Sequence, residues 1–120
     1  QMKSFNKFYT KLRKKGRVAI GKAKGGFHAG AIVMFAIDQD GVIIDGCFMR
    51  GFTMLARFKN WDFFNGIDVG TIKKDDCATI GVSLRRAVLN ASSNYNTIMR
   101  RSLRKAESVY KNWRQDLRCQ

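Results

Sequence analysis

Histidine, acidic residues, proline and paired cysteines are all scarce in this 120-residue sequence, which has one His, nine Asp and Glu, no Pro and three Cys. Hydrolytic and transfer chemistry needs a titrating base beside a nucleophile, and no Ser-His or Cys-His signature surrounds His28, the single histidine. No catalytic residue is therefore expected, and the chain reads as something other than an enzyme. Cys47, Cys77 and Cys119 are odd in number and widely spaced, with no CxxC pair, so they form neither a disulfide framework nor a zinc pattern and fit a reducing cytoplasm. Asp38, Asp40 and Asp45 lack the spacing and terminal Glu of a calcium loop. The stretch Gly21-Lys22-Ala23-Lys24-Gly25-Gly26 lacks the spacing of a phosphate-binding loop and reads as strand followed by glycine turn. Neither a metal nor a cofactor is expected. The longest apolar run, Ala29 to Ile37, is broken by Gly30 and falls well short of the roughly 20 residues that span a bilayer. The chain opens at Gln1 rather than a start methionine, which implies residues upstream.

What is present is positive charge. Twenty-three Lys and Arg give a formal charge of +14, which predicts attraction to a polyanion, either nucleic acid or anionic lipid. The 45% hydrophobic content is too high for a disordered chain and suits one small domain, or a domain with an arm. The charge is uneven. Residues 1–26 carry nine basic residues and no acid, residues 27–80 carry five basic and seven acidic, and residues 81–120 carry nine basic and two acidic. Two basic ends flank a nearly neutral middle.

Phe5, Phe8, Tyr9 and Leu12 recur at helical spacing, predicting a helix over about residues 3–15 that ends at Gly16. Val18 and Ile20 alternate as in a strand over 17–22, with Gly25 and Gly26 as the next turn. The run from His28 to Asp38 is β-prone and reaches Asp40-Gly41, a two-residue hairpin signal. Val42 to Asp45 begins the return strand, and after Gly46 the stretches Cys47 to Arg50 and Phe52 to Phe58 read as further strand, with Gly51 marking a bulge or bend. The aromatic segment 60–70 reads as a short helix or a loop covering the sheet, leaving room beneath Trp61 to Phe64 for a small ligand if those rings do not pack solid. Asp75 and Asp76 are placed to cap a helix continuing through Ile80, Leu84, Ala87, Val88 and Ala91. A heptad seam follows at Met99, Leu103, Ala106, Tyr110, Trp113 and Leu117, joined to the first stretch through a polar link at 90–96 that reads as a break or a weak spot. The fold class is α+β: an antiparallel meander of three to four strands with a short N-terminal helix and a long basic C-terminal helix.

The basic ends supply the candidate contacts. Lys7, Lys11, Lys14, Arg17, Arg100, Arg101 and Arg104 are expected to meet nucleic acid or anionic lipid, on charge and spacing. Met99, Leu103, Tyr110 and Trp113 are expected to pack, most simply against a second copy in a homo-oligomer. No helix-turn-helix turn, zinc finger or RNA-recognition motif is present, so base-specific reading is not indicated.

Three blocks are more particular. KGRVAIGKAKGGF at 15–27, the β-run ending Ala36-Ile37-Asp38 with Val42 after its turn, and CFMRGFTMLAR at 47–57 occur in an order and spacing that resembles the glucitol (sorbitol) operon activator family over about residues 5–90. The resemblance implies a bacterial transcriptional activator of genes that take up and metabolise a hexitol through a phosphotransferase system, with no catalytic residue. It also implies an apolar N-terminal membrane anchor ahead of this sequence, after which the basic residues 3–24 would flank the cytoplasmic side. The expected organisation is an activator-family domain over 1–94 and a basic amphipathic helical extension over 95–120. The expected function is positive, non-enzymatic regulation of a sugar-alcohol operon in the cytoplasm, through DNA or a protein of the transcription machinery. The alternative is a membrane-proximal scaffold holding anionic lipid and a transporter subunit or regulator.

Overall fold

The computed structural model describes residues 2–24, 30–51 and 57–118. Helix α1 (Met2–Arg13) is followed by strands β1 (Arg17–Ala23), β2 (Ala31–Ile37), β3 (Ile43–Arg50) and β4 (Lys59–Asn60), two short 3-10 turns, and helix α2 (Val82–Arg118). The strands form one antiparallel sheet in the order β1-β2-β3-β4, so the α+β meander read from the sequence is the fold. Both faces of the sheet are covered, α1 on one and α2 on the other.

Strand periodicity separates the two cores. Met34, Ala36, Cys47 and Met49 face α1 and bury Leu12, with Phe5, Phe8 and Phe58 beside it. Val33, Phe35, Ile37 and Ile43 face α2 and meet Leu84, Ala87, Val88 and Ala91. Leu12 is only 1% exposed and fixes α1 to the sheet, so truncating it to alanine costs about 2–5 kcal/mol. The buried alternation of β1 is not carried by Val18 and Ile20, which are half-buried on the α1 side, but by Ala19, Gly21 and Ala23. These small residues let α2 approach closely: a Cβ at Gly21 would run into the Ala87 carbonyl and the Ala91 amide.

Several local expectations are corrected. Helix α1 stops at Arg13 rather than 15, because Lys15 and Gly16 both donate to the Leu12 carbonyl in a tight turn. The β2–β3 hairpin turns through Gln39, Asp40 and Gly41 rather than two residues: Asp38 donates to the Val42 carbonyl at 3.0 Å, Gly41 donates to the Asp38 carbonyl at 3.1 Å, and Gly41 has φ +84°. A register shift then follows between Ala36 and Ile37, and β3 runs unbroken through Gly46, whose amide is held by its neighbour Asp45 at 2.8 Å. Asp75 and Asp76 do not cap α2. They lie in the preceding 3-10 turn, where Asp76 accepts from the Lys73 amide at 2.8 Å, and α2 begins after Gly81, whose carbonyl accepts from Arg85 at 2.9 Å. The polar stretch 90–96 is neither break nor weak spot, since α2 is continuous across it. The expected glycine turn at 25–26, His28 and residues 52–56 lie outside the described residues. Of the strand expected over Phe52 to Phe58, the described residues 57–58 are not strand, and β4 is Lys59–Asn60.

Candidate nucleic-acid and protein interface

Asparagines explain why the polar stretch stays helical. Asn90 accepts from the Lys22 amide at 2.9 Å, Asn94 donates to the Ile20 carbonyl at 3.0 Å and to Asn90 at 3.2 Å, and Asn96 donates to the Gly70 carbonyl at 3.0 Å. Three side chains that compete with helix backbone in isolation instead tie α2 to the outer edge of β1 and to the loop beyond β4. Past them α2 leaves the sheet. Its 37 residues run about 55 Å at the usual helical rise, within a molecule 65 Å long. From Arg100 to Asp116 every residue is exposed.

On this projecting arm Leu103, Tyr110 and Trp113 stand open at 64%, 54% and 56% exposure, and the Tyr110 and Trp113 rings lie 5.9 Å apart. With Ala106 and Val109 they form a strip continuous along one helix face. Met99 belongs elsewhere, half-buried in a groove between α2 and β1. Helical spacing puts Arg100, Arg104 and Lys111 away from the strip, while Arg114, four residues after Tyr110, flanks it. Among these, Lys111 pairs with Glu107 at 3.3 Å.

The expected basic contacts therefore divide. Lys7 and Lys11 are exposed on α1, across the sheet from α2, and Lys14 is exposed in the turn that follows α1. Lys11 is partly committed, donating to Asn60 Oδ1 at 3.1 Å with its ammonium 5.9 Å from the Phe8 ring centre. Arg17 and Arg101 come together as walls of the groove, and Arg100 and Arg104 lie just beyond on the arm. Lys15, which sequence reasoning did not single out, makes the closest ion pair among the described residues, 2.6 Å from Asp45. Burial pushes the Asp45 carboxyl up, but the Lys15 ammonium and the Gly46 amide outweigh it and hold the group below its ordinary value. No sequence signal at a separation of 30 residues marked that pair.

The remaining chemistry is sparse. Burial pushes the Cys47 thiol up to about 12, with the nearby Asp45 charge adding to it, and burial raises Cys77 as well. Among the described residues no group of three His, Cys, Asp or Glu is arranged to hold a metal ion, and no helix is long and apolar enough to cross a membrane. The rings over the sheet fill the space considered for a ligand: Trp61 lies 5.3 Å from Phe64 and 5.1 Å from Phe48, and Phe35 lies 5.8 Å from Phe64.

What the geometry offers is a small α+β domain: a sheet covered on both faces, an open strand edge, and a long basic helical arm. A family model described as Glucitol operon activator protein (GutM) matches residues 1–88, and the chain belongs to that family. The Glucitol operon activator protein of Escherichia coli (strain K12) is 32% identical over 75 residues, covering 62% of this chain and 63% of that protein. No solved structure matches the chain. The matched residues hold α1, the sheet and the start of α2, while the projecting arm lies beyond them.

Proposed function

We propose that the protein is a non-enzymatic positive regulator of a glucitol- or sorbitol-type operon served by a phosphotransferase system, acting in the cytoplasm through DNA or the transcription machinery. Family membership over residues 1–88 carries this reading. The surface supports it, since Arg100, Arg101 and Arg104 lie exposed on the arm with no acidic partner within ion-pair distance among the described residues. Such a row neutralises phosphates by counterion release and needs no base-specific contact. The exposed strip at Leu103, Tyr110 and Trp113 is the proposed contact between two copies, which would present two basic arms to one duplex.

The test is a glucitol-operon reporter in a bacterial strain lacking its own activator. Supplying the protein is expected to raise reporter output, and the Arg100→Glu/Arg101→Glu/Arg104→Glu variant at equal abundance is expected to raise it less. No rise with the unaltered protein present would contradict the activator role.

A second reading, a membrane-proximal scaffold, is favoured by one observation: Lys7 on α1 and Lys14 in the turn after it are exposed, and α1 covers the opposite side of the sheet from α2, so one flat contact does not use both basic groups. Sedimentation with phosphatidylserine vesicles is expected to respond to Lys7→Glu/Lys14→Glu if that face meets lipid, and to be insensitive to it if it does not.

A further inference from the structure

Strand β1 has a neighbour on one side only. In a strand the N–H and C=O of one residue point to the same edge, and successive residues alternate. Because the Lys22 amide and the Ile20 carbonyl bond to Asn90 and Asn94, the even-numbered residues of β1 face outward. The two asparagines close the Lys22 end of that edge. Towards Arg17 nothing does: the Val18 N–H and C=O and the Ile20 N–H have no partner among the described residues. Native sheets guard such edges because an unpaired ladder accepts another strand.

Here the open half of the edge forms one wall of a groove of about 540 Å³ whose other wall is α2. Ile98 and Met99 of α2 with Ala19 and Ile37 of the sheet make it apolar, and Val18 and Ile20 border it along the strand edge with their side chains on the α1 side. Arg17 and Arg101 carry its charge, and no acidic residue lines it. We propose that this groove binds an acidic, extended segment of a partner polypeptide, which adds as a short strand to β1 at Val18 and Ile20 and places carboxylates on Arg17 and Arg101. Main-chain pairing supplies register and the apolar wall takes alternate side chains, as in strand addition elsewhere. Nucleic acid fits this groove poorly, since phosphates cannot donate to the Val18 carbonyl and the walls are largely apolar. A second copy pairing through its own β1 would bring together two segments, residues 14–24, that each carry five basic residues and no acid. Arg101 is shared with the proposed DNA contact of the arm, but strand addition is read at the Val18 and Ile20 amides, which that contact does not use.

The probe is a capped hexapeptide of alternating valine and glutamate, titrated into the full 120-residue protein labelled with ¹⁵N. The Val18 and Ile20 amide resonances are expected to move with dose. The Arg17→Glu/Arg101→Glu variant, its other resonances unchanged, is expected to bind at least tenfold more weakly, as is a peptide N-methylated at alternate amides. Three results overturn the proposal: Val18 and Ile20 unmoved at millimolar peptide, equal binding of the N-methylated peptide, or Val18 and Ile20 resonances that move with protein concentration when no peptide is present.

Discussion

Asn94 on α2 donates a hydrogen bond to the carbonyl oxygen of Ile20 on β1, 74 positions earlier, at 3.0 Å. That bond, with its neighbour from Lys22 to Asn90, is where a long helix is fastened to the edge of a sheet. Replacing Asn94 by alanine is expected to cost about 1 kcal/mol. Asn90→Ala is expected to cost a similar amount, and the double variant less than the sum, since the two side chains are bonded to each other. Urea unfolding monitored by circular dichroism reads all three.

Among the glycines of the described residues, Gly21 leaves a side chain the least room. Gly21→Ala forces its Cβ into the Ala87 carbonyl and the Ala91 amide, so α2 must lift from β1. The expected loss is about 3 kcal/mol, the upper part of the overpacking range. Gly66→Ala is a useful contrast, because its site is open space and only the positive φ of +88° opposes a side chain, at about 1–2 kcal/mol. Adding Ala91→Gly to Gly21→Ala is expected to restore part of the loss, since the backbone clash remains.

These two places also show what a sequence alone makes legible. The helix at Phe5, Phe8 and Leu12 and the β-run before Asp38 follow from periodicity, which local burial enforces, whereas the heptad at the end of the chain is periodic although its residues are exposed. The small residues Ala19, Gly21 and Ala23 gave no comparable signal, because their role depends on a helix that arrives more than 60 positions later. Asn90 and Asn94 looked like a break for the same reason: their partners are strand edges, not neighbours. Charge gave the basic ends but not their division across the sheet, nor the meeting of Arg17 with Arg101.

The Lys15–Asp45 pair makes stability depend on pH in one direction. A carboxyl whose folded pKa lies below its unfolded value contributes stability that is complete above the unfolded value, near 4. That contribution is lost as pH falls through the lowered folded value. Lys15→Met is expected to remove at most about 1 kcal/mol at pH 7, because the lysine is 47% exposed and screened, and almost nothing at pH 2. Unfolding free energies of both proteins between pH 2 and 7 check this.

Cys47 is fully buried and its thiol is raised to about 12, so little thiolate exists near neutrality. In the native protein at pH 8, iodoacetamide is expected to leave Cys47 and Cys77 unmodified and to alkylate both once the chain is unfolded in guanidinium. Peptide mass mapping distinguishes the sites.

On the arm, Tyr110→Ser/Trp113→Ser removes exposed rings that touch nothing in the sheet domain. The unfolding midpoint is expected to stay within about 0.5 kcal/mol of the parent. Weight-average mass from sedimentation equilibrium at high concentration is expected to fall to that of a monomer, whereas the parent is expected to associate.

The regulatory reading stands or falls most directly on how the protein's affinity for a glucitol-operon promoter duplex depends on salt, measured by fluorescence anisotropy from 50 to 300 mM. The expected log–log slope is steeper than about −3, and reversing Arg100, Arg101 and Arg104 should reduce its magnitude by about one per residue. An affinity that is undetectable at 50 mM salt, or one that does not change with salt or with those reversals, would contradict DNA contact by the arm.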